Sequence, residues 1–307
     1  MKFFIITVDT EGDNLWDWKD GAPITTENSA FIPRFQELCE RYSFFPTYLT
    51  NYEMAMDSRW VTYGKSKQDK GLCEIGMHIH AWNSPPIFEL DNLYGGNPYI
   101  TEYSRDVIQS KVQCLMDILS SRFECCITSN RSGRWATSDD YLKIICDCGI
   151  KVDCSFTPGL DLSKIPGRTI NGGNNYTNSI PQAFEIIDGL LEVPMTTMKN
   201  RKPIDRSLKH NLKTIIKGES LWLRPMFDER KMKFLVDKSL EKNDYVEFMV
   251  HSSELMPAGS PYFKDSDAVE QLFRRSEWLF GYVKNKGLIG VTLSNYCSEW
   301  RKIHSCR

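Results

Sequence analysis

Short apolar runs alternate along the chain with stretches whose apolar residues recur at helical spacing. "FFIITV" (3–8), "FFPTYLT" (44–50) and "LCEIGMHIH" (72–80) read as strands, as do "CCITSN", "IKVDCSF", "LLEVPMT", "SLWLRP", "YVEFMVH" and "LIGVTLS". Between them, "ENSAFIPRFQELCERY" places Ile32, Phe35, Leu38 and Cys39 near one helical face. "EYSRDVIQSKVQCLMDILSSRF" does the same with Val107, Ile108, Val112, Leu115, Met116 and Leu119. Ser138 followed by Asp139 and Asp140 predicts a helix start in "TSDDYLKIICDC", and Gly149 its stop. "ERKMKFLVDKSLEKN" and "DAVEQLFRRSEWLFGYVKNKG" supply later helices. Strand then helix, about seven times over and without two-residue hairpins, predicts an α/β fold with a mostly parallel sheet. Residues 157–190, with "NGGNNYTN" inside, predict a long excursion of little regular structure. No Pro/Gly/Ser-rich linker interrupts the pattern, so one domain is expected over residues 1–307.

In parallel α/β folds, functional side chains gather at the C-terminal ends of strands. Asp9, Glu11 and Asp13 follow the first strand, and His78 and His80 follow "LCEIG". Arg131 and Arg134 follow "CCITSN", Asp153 follows "IKV", and His251 ends "YVEFMV". Residues two apart on a strand share a face. Asp9 therefore stands with Glu11, and His78 with His80. Two imidazoles and one carboxylate make a divalent metal site with positions left open for water and substrate. A second carboxylate beside that metal takes the proton from water. Arg131 is expected to pair with Asp9, keeping it ionised and oriented. His251 is a candidate acid if a carboxylate stands beside it, and Asp153 is one source of that carboxylate. His210 and His304 lie in basic, polar surroundings and read as surface residues.

Composition narrows the classes. The chain has 38 basic and 40 acidic residues for a net charge of −2, which gives no electrostatic footprint for nucleic acid. No apolar segment approaches the roughly 18 residues needed to span a bilayer. "MKFFIITVDTEGD" lacks the apolar length and cleavage site of a secretion signal, so a cytoplasmic protein with its ten cysteines reduced is expected.

These motifs, in this order, resemble the polysaccharide deacetylases, or NodB-homology domains. "TVDTEGD" is similar to that family's first motif, an acid pair after strand one. "EIGMHIHAW" is similar to its histidine motif, "RSGRW" to its arginine motif and "VEFMVHSSEL" to its late strand ending in His. The matches run from residue 5 to about residue 255. "HIHAWNSPP" and "HSSELMPAGSPYF" look closest to a subgroup of surface-polysaccharide and O-antigen loci, the WbmS type.

The resemblance implies an irregular (β/α) barrel of seven strands. It also implies hydrolysis of an N-acetyl group on a sugar with a divalent metal, usually zinc. Asp9 would then be the base, Glu11, His78 and His80 the metal ligands, His251 the acid, and Arg131 the holder of Asp9. Asp153 would stand in for a weak fourth motif. Trp16, Trp18, Trp82, Arg134 and Tyr262 are candidate substrate-binding residues, with Phe263 beside them, and segment 157–190 a candidate cover. There are departures from the family pattern. One residue separates the histidines instead of three, so Trp82 stands at the usual second position, and Thr10 stands at the usual second Asp. The ligand therefore moves to Glu11, with Asp13 as substitute. Alternatives are a cyclic-amide hydrolase on the same scaffold, an amidohydrolase or PHP-type metal barrel, and a sugar-binding relic without turnover.

Overall fold

The computed structural model describes residues 1–19, 21–204 and 214–304; His210 lies outside them. The strands are β1 (Phe3–Thr10), β2 (Thr47–Thr50), β3 (Glu74–Ile79), β4 (Ser129–Ser132), β5 (Val152–Asp153), β6 (Phe184–Ile187), β7 (Leu190–Glu192), β8 (Thr197–Asn200), β9 (Glu219–Trp222), β10 (Tyr245–His251) and β11 (Ile289–Val291). The helices are α1 (Ile32–Arg41), α2 (Tyr52–Met56), α3 (Ser58–Asp69), α4 (Arg105–Phe123), α5 (Asp139–Asp147), α6 (Glu229–Ser239), α7 (Ser266–Asn285) and α8 (Leu293–His304). The α5 boundaries follow the expected signals. The Ser138 side chain accepts the Tyr141 N–H at 3.2 Å, and Gly149 leaves the helix with φ 105°.

The main sheet runs β10-β1-β2-β3-β4-β5-β7-β6, with β11 also pairing to β1. All of its pairings are parallel except β6 with β7. The expected curled, mostly parallel sheet is present. Where seven strands were expected, the main sheet holds nine among the described residues. Two features account for the difference. β11 joins β10 in flanking the start of β1, and β6 turns straight back into β7. That return is a two-residue hairpin through Asp188-Gly189, with Gly189 at φ 84°. Asp-Gly is a strong hairpin signal, and it lay in the stretch expected to be irregular. "SLWLRP" likewise pairs antiparallel with β8. Past β7 the chain returns to β10 through single hydrogen bonds. Tyr245 Oη donates to the Pro194 carbonyl at 2.7 Å, and the Glu247 N–H donates to Thr196 Oγ1 at 2.8 Å. The Met249 N–H donates to the Leu223 carbonyl at 3.1 Å.

Strand alternation sorts the side chains into two layers. Phe4, Ile6 and Val8 of β1, with Val246, Phe248 and Val250 of β10, face outward into the core beneath the helices. Phe3, Ile5, Leu49, Val152, Leu191 and Tyr245 fill the interior, closed at the bottom by Leu293 and Tyr296 of α8. Each fully buried side chain of this kind contributes about 1.5–3 kcal/mol. Climbing the interior face of β1, the apolar Phe3 and Ile5 give way to Thr7 and then Asp9. β10 climbs from Tyr245 through Glu247 and Met249 to His251. The concave side of the curled sheet is apolar at its floor and charged at its top.

Candidate metal and catalytic site

Asp9 and His251 are register partners across β1 and β10, and His78 and Arg131 across β3 and β4. The strand ends thus meet at one mouth. His78 Nδ1 lies 2.9 Å from the Arg131 carbonyl, so Nδ1 holds the proton and Nε2 is left free. His80 Nε2 stands 2.9 Å from His78 Nε2 and 3.0 Å from Glu11 Oε2, while His78 Nε2 is 3.5 Å from that oxygen. Three ligand atoms, all buried, converge within 4.8 Å of one another. Ligands about 2.0–2.2 Å from a tetrahedral zinc stand about 3.3–3.6 Å apart, so the residues present fit a divalent ion. Two facing imidazole nitrogens beside a carboxylate are also the donor set such an ion takes. Gly133 makes room for this arrangement. A Cβ there would lie 2.5 Å from the Ile79 carbonyl oxygen and 2.6 Å from His80 Cδ2.

Asp13 is not among these ligand atoms. Its carboxylate accepts from the Thr25 hydroxyl and from the Asn28 N–H, tying down the loop instead.

Beneath the three donors, Arg131 is fully buried. It donates to Asp9 Oδ1 at 2.6 Å, to Glu247 Oε1 at 2.7 Å and to the Cys154 carbonyl at 3.1 Å. The Thr7 hydroxyl also donates to Glu247. Burial pushes the Asp9 carboxyl up, but Arg131, with His78 and His251, turns the net shift downward and keeps it ionised. Glu11 is likewise buried, yet hydrogen bonds to the two imidazoles hold it well below the usual carboxylate range. His78 is pushed down by burial and raised overall by Asp9 and Glu11; His80 is lowered, because burial outweighs Glu11.

His251 faces this centre from β10, with Nε2 3.8 Å from Asp9 Oδ2 and 3.9 Å from Glu11 Oε1. Its Nδ1 is 3.0 Å from Arg224 Nη2, and Arg224 in turn donates to Glu254 Oε1 at 2.9 Å. A guanidinium only donates, so Nδ1 accepts and the ring proton sits on Nε2, facing the mouth. Glu254 Oε2 lies 3.5 Å from Nδ1 and accepts the His251 backbone N–H at 2.9 Å. The carboxylate beside His251 is therefore Glu254.

Asp153 is placed elsewhere. Val152 and Cys154 face the interior, so Asp153 turns to the outer face, side by side with Asn130 and Glu192 across three strands. It accepts from Asn130 Nδ2 at 2.6 Å and Ser155 Oγ at 2.9 Å. Burial raises both carboxyls, Asp153 and Glu192.

A cavity of about 410 Å³ opens over the centre, lined by Asp9, Glu11, Trp16, His78, His80 and His251 with Trp82, Arg134, Trp135 and Ile165 at its walls. Trp16 packs edge-on to His251 at 4.9 Å and to Tyr262 at 5.7 Å. Trp82 packs on His80 at 4.4 Å, and Trp18 stacks on Trp82 at 6.4 Å. Arg134, in the left-handed region at φ 56°, is committed to the Asn97 and Pro166 carbonyls and to the Tyr99 ring at 3.8 Å. Its aliphatic and planar surfaces shape the wall. Ile165 brings segment 157–190 to the cavity wall, and the neighbouring Pro166 carbonyl accepts from Arg134. Phe263 is buried in the outer core instead of lining the cavity. His304 is exposed, stacked on Trp300.

Sequence reasoning passed over Arg224, Glu247 and Glu254. Glu247 carried a usable signal, because it lies four residues before His251 and so on the same strand face. Glu254 sits three residues after His251 in a turn, and Arg224 follows an antiparallel strand that the parallel pattern did not anticipate.

No family model matches the sequence, and no curated protein matches it. Solved structures do. The chain is similar to a GH57 branching enzyme from Thermococcus kodakaraensis, at 12% identity over 97% of this chain and 71% of that one, with a TM-score of 0.53. It is similar to 4-alpha-glucanotransferase from Thermococcus litoralis at 12% identity, over 97% of this chain but only 38% of that one, with a TM-score of 0.50. At such identities the likeness is one of fold, a curled, mainly parallel sheet with surrounding helices. A family 4 acetyl xylan esterase from Clostridium thermocellum, solved with a cobalt ion, matches at 12% identity over 96% of this chain and 89% of that one, with a TM-score of 0.45.

Proposed function

We propose that this chain is a metal-dependent carbohydrate N-deacetylase, serving synthesis of a surface polysaccharide such as an O-antigen. One observation carries the reading. The Glu11 carboxylate and the Nε2 atoms of His78 and His80 meet within 4.8 Å at a mouth where Asp9 and His251 also converge. The order of the four motifs supports the same conclusion. Glu11, His78 and His80 would hold a divalent cation, zinc by the family resemblance, which supplies Lewis-acid polarisation of water and of an amide carbonyl.

The chain's own residues do the rest. Asp9, kept ionised by Arg131, accepts the proton of the attacking water through Oδ2, the oxygen Arg131 leaves free. His251 acts as the acid in its imidazolium form, with Nδ1–H turned to Glu254 Oε2 3.5 Å away. Its Nε2–H passes to the departing amine nitrogen, which leaves the neutral ring that Arg224 caps. The Trp16 and Trp82 faces give a sugar ring apolar walls, and the Trp82 indole N–H, buried without a partner among the described residues, is a donor for a sugar hydroxyl. Trp18 and Tyr262 extend that wall.

The test is acetate release from a panel of N-acetylated sugars, nucleotide-linked ones included, by metal-loaded wild type beside Asp9→Asn. Release that a chelator abolishes and that Asp9→Asn lowers about 10²–10⁴-fold supports the reading. Metal bound one per chain with no acetate from any sugar refutes it. Turnover of a cyclic amide, or sugar binding without turnover, would then identify which alternative replaces it.

A further inference from the structure

A second cleft lies on the flank of the curled sheet, apart from the mouth. It has a volume of about 660 Å³ and sits between the β8 strand, the C-terminal half of α6 and the approach to β10. None of its lining residues lines the catalytic cavity. Its charge is out of proportion to the chain. Lys199, Arg201, Lys202, Lys238 and Lys242 line it, against the single acid Glu241. Five cations less one acid leave +4 at this cleft, in a chain whose net charge is −2. Glu241 is already matched to Lys238 at 2.7 Å. Among the described residues, Lys199, Arg201, Lys202 and Lys242 make no ion pair with a carboxylate.

The backbone at Lys202 and the stem of Lys199 are fixed by local contacts. The Lys202 N–H donates to Asn200 Oδ1 at 2.9 Å while Asn200 Nδ2 donates to the Lys202 carbonyl at 2.7 Å, and Asn200 is itself buried. The Lys199 stem lies along Gly218, where a Cβ would sit 2.7 Å from its Cε. Between the cations the wall is apolar, with Met195, Met198 and Phe234. Four uncompensated cations around an apolar wall, in a concavity of small-ligand size, are complementary to an anion that carries an apolar or aromatic body.

We propose that this flank cleft is a binding site for a phosphate ester, of the size of a nucleoside diphosphate. The phosphates sit among Lys199, Arg201, Lys202 and Lys242, and the organic body lies on Met198 and Phe234. The proposal is independent of the deacetylase reading, since it uses none of those residues. The same chemistry can come free in solution or as a lipid headgroup, and the test separates the two.

Metal-loaded protein is titrated calorimetrically with UDP, ADP and inorganic pyrophosphate at low salt. Sedimentation with phosphatidylglycerol vesicles, against phosphatidylcholine vesicles, forms the second arm. The variants are Lys199→Glu, Lys242→Glu and the wall substitution Phe234→Ser, with His78→Ala to remove binding through the metal site and Lys264→Glu as a surface control. The expected result is one saturable diphosphate site per chain, weakened about tenfold or more by Lys199→Glu and by Lys242→Glu, and unchanged in His78→Ala and Lys264→Glu. Nucleotides bind more tightly than pyrophosphate, and Phe234→Ser erases that difference. Vesicle binding without diphosphate binding, lost in the same two lysine variants, would make a lipid headgroup the source. No binding in either arm, or binding that survives both charge reversals, would overturn the proposal. Circular dichroism of each variant confirms that it is folded.

Discussion

Replacing Arg131 with Met isolates the electrostatics on which the centre stands. The guanidinium is fully buried and pairs with two buried carboxylates at once, Asp9 at 2.6 Å and Glu247 at 2.7 Å. Removing one partner of a buried pair costs about 3–5 kcal/mol, because the other charge is left stranded. Here two are stranded, so the upper end, about 5 kcal/mol at pH 7.5, is expected. The pH dependence gives the sharper check. In the wild type the Asp9 carboxyl is depressed, so its contribution is present above the unfolded value near 3.9 and lost as pH falls through the folded value. In the variant, burial of Asp9 is opposed only by His78 and His251, so its carboxyl rises. A carboxyl raised in this way contributes stability that is present at low pH and lost as pH rises. The gap between wild type and variant must therefore widen between pH 5 and pH 7.5. Urea unfolding followed by circular dichroism, with chelator present, measures it at both pH values. A gap under about 1 kcal/mol, or one equal at both pH values, would refute the reasoning. Adding Glu247→Gln to the variant should restore part of the loss at pH 7.5, since one stranded charge is gone.

Other outcomes follow from the same geometry. Gly133→Ala drives a methyl to 2.5 Å from the Ile79 carbonyl and 2.6 Å from the His80 ring. About 1–3 kcal/mol of stability should go, and zinc retained per chain, read by mass spectrometry after dialysis, should fall with it. Glu53 on α2 is pushed up to about 8 by burial, and Asn83 donates to it at 3.0 Å. Its contribution is full below the unfolded value near 4.3 and lost as pH rises through 8, so Glu53→Gln should flatten the fall in stability between pH 5 and pH 8. Glu254→Gln removes the counter-charge of Arg224 beside His251. Turnover of an N-acetyl sugar should fall about tenfold or more with KM little changed, whereas a KM rise alone would place Glu254 outside the chemistry.

Much of this architecture was legible in the sequence, for reasons that particular residues make plain. The alternation in "TVDTEGD" and "EIGMHIH" placed Asp9 with Glu11 and His78 with His80, and the folded strands keep those faces. The same parity rule, applied across strands, would have set Asp153 apart. β5 is only two residues long, and Asp153 is level with Asn130, whose neighbour Arg131 is the inward one. What stayed hidden was long-range. Arg224 reaches His251 from a segment 27 residues away, and Glu247 reaches Arg131 across 116 residues. No local period reports such partners. The Asp188-Gly189 hairpin, by contrast, was written in the sequence and was outweighed by the surrounding turn-rich composition.

The place of β1 in the sheet bears on how the chain comes together. This strand lies near the start of the sequence, yet it is clasped by β10 along one edge and by β11 and then β2 along the other. Seven of its residues pair with a strand that begins at Tyr245. Loop closure over some 240 residues must precede that pairing, which makes assembly slow. Until then "FFIITV" offers a bare, uncharged edge of high β-propensity, the kind of segment that recruits other chains. A chain cut before residue 245 should therefore accumulate as aggregate even though Glu11, His78 and His80 are all still present.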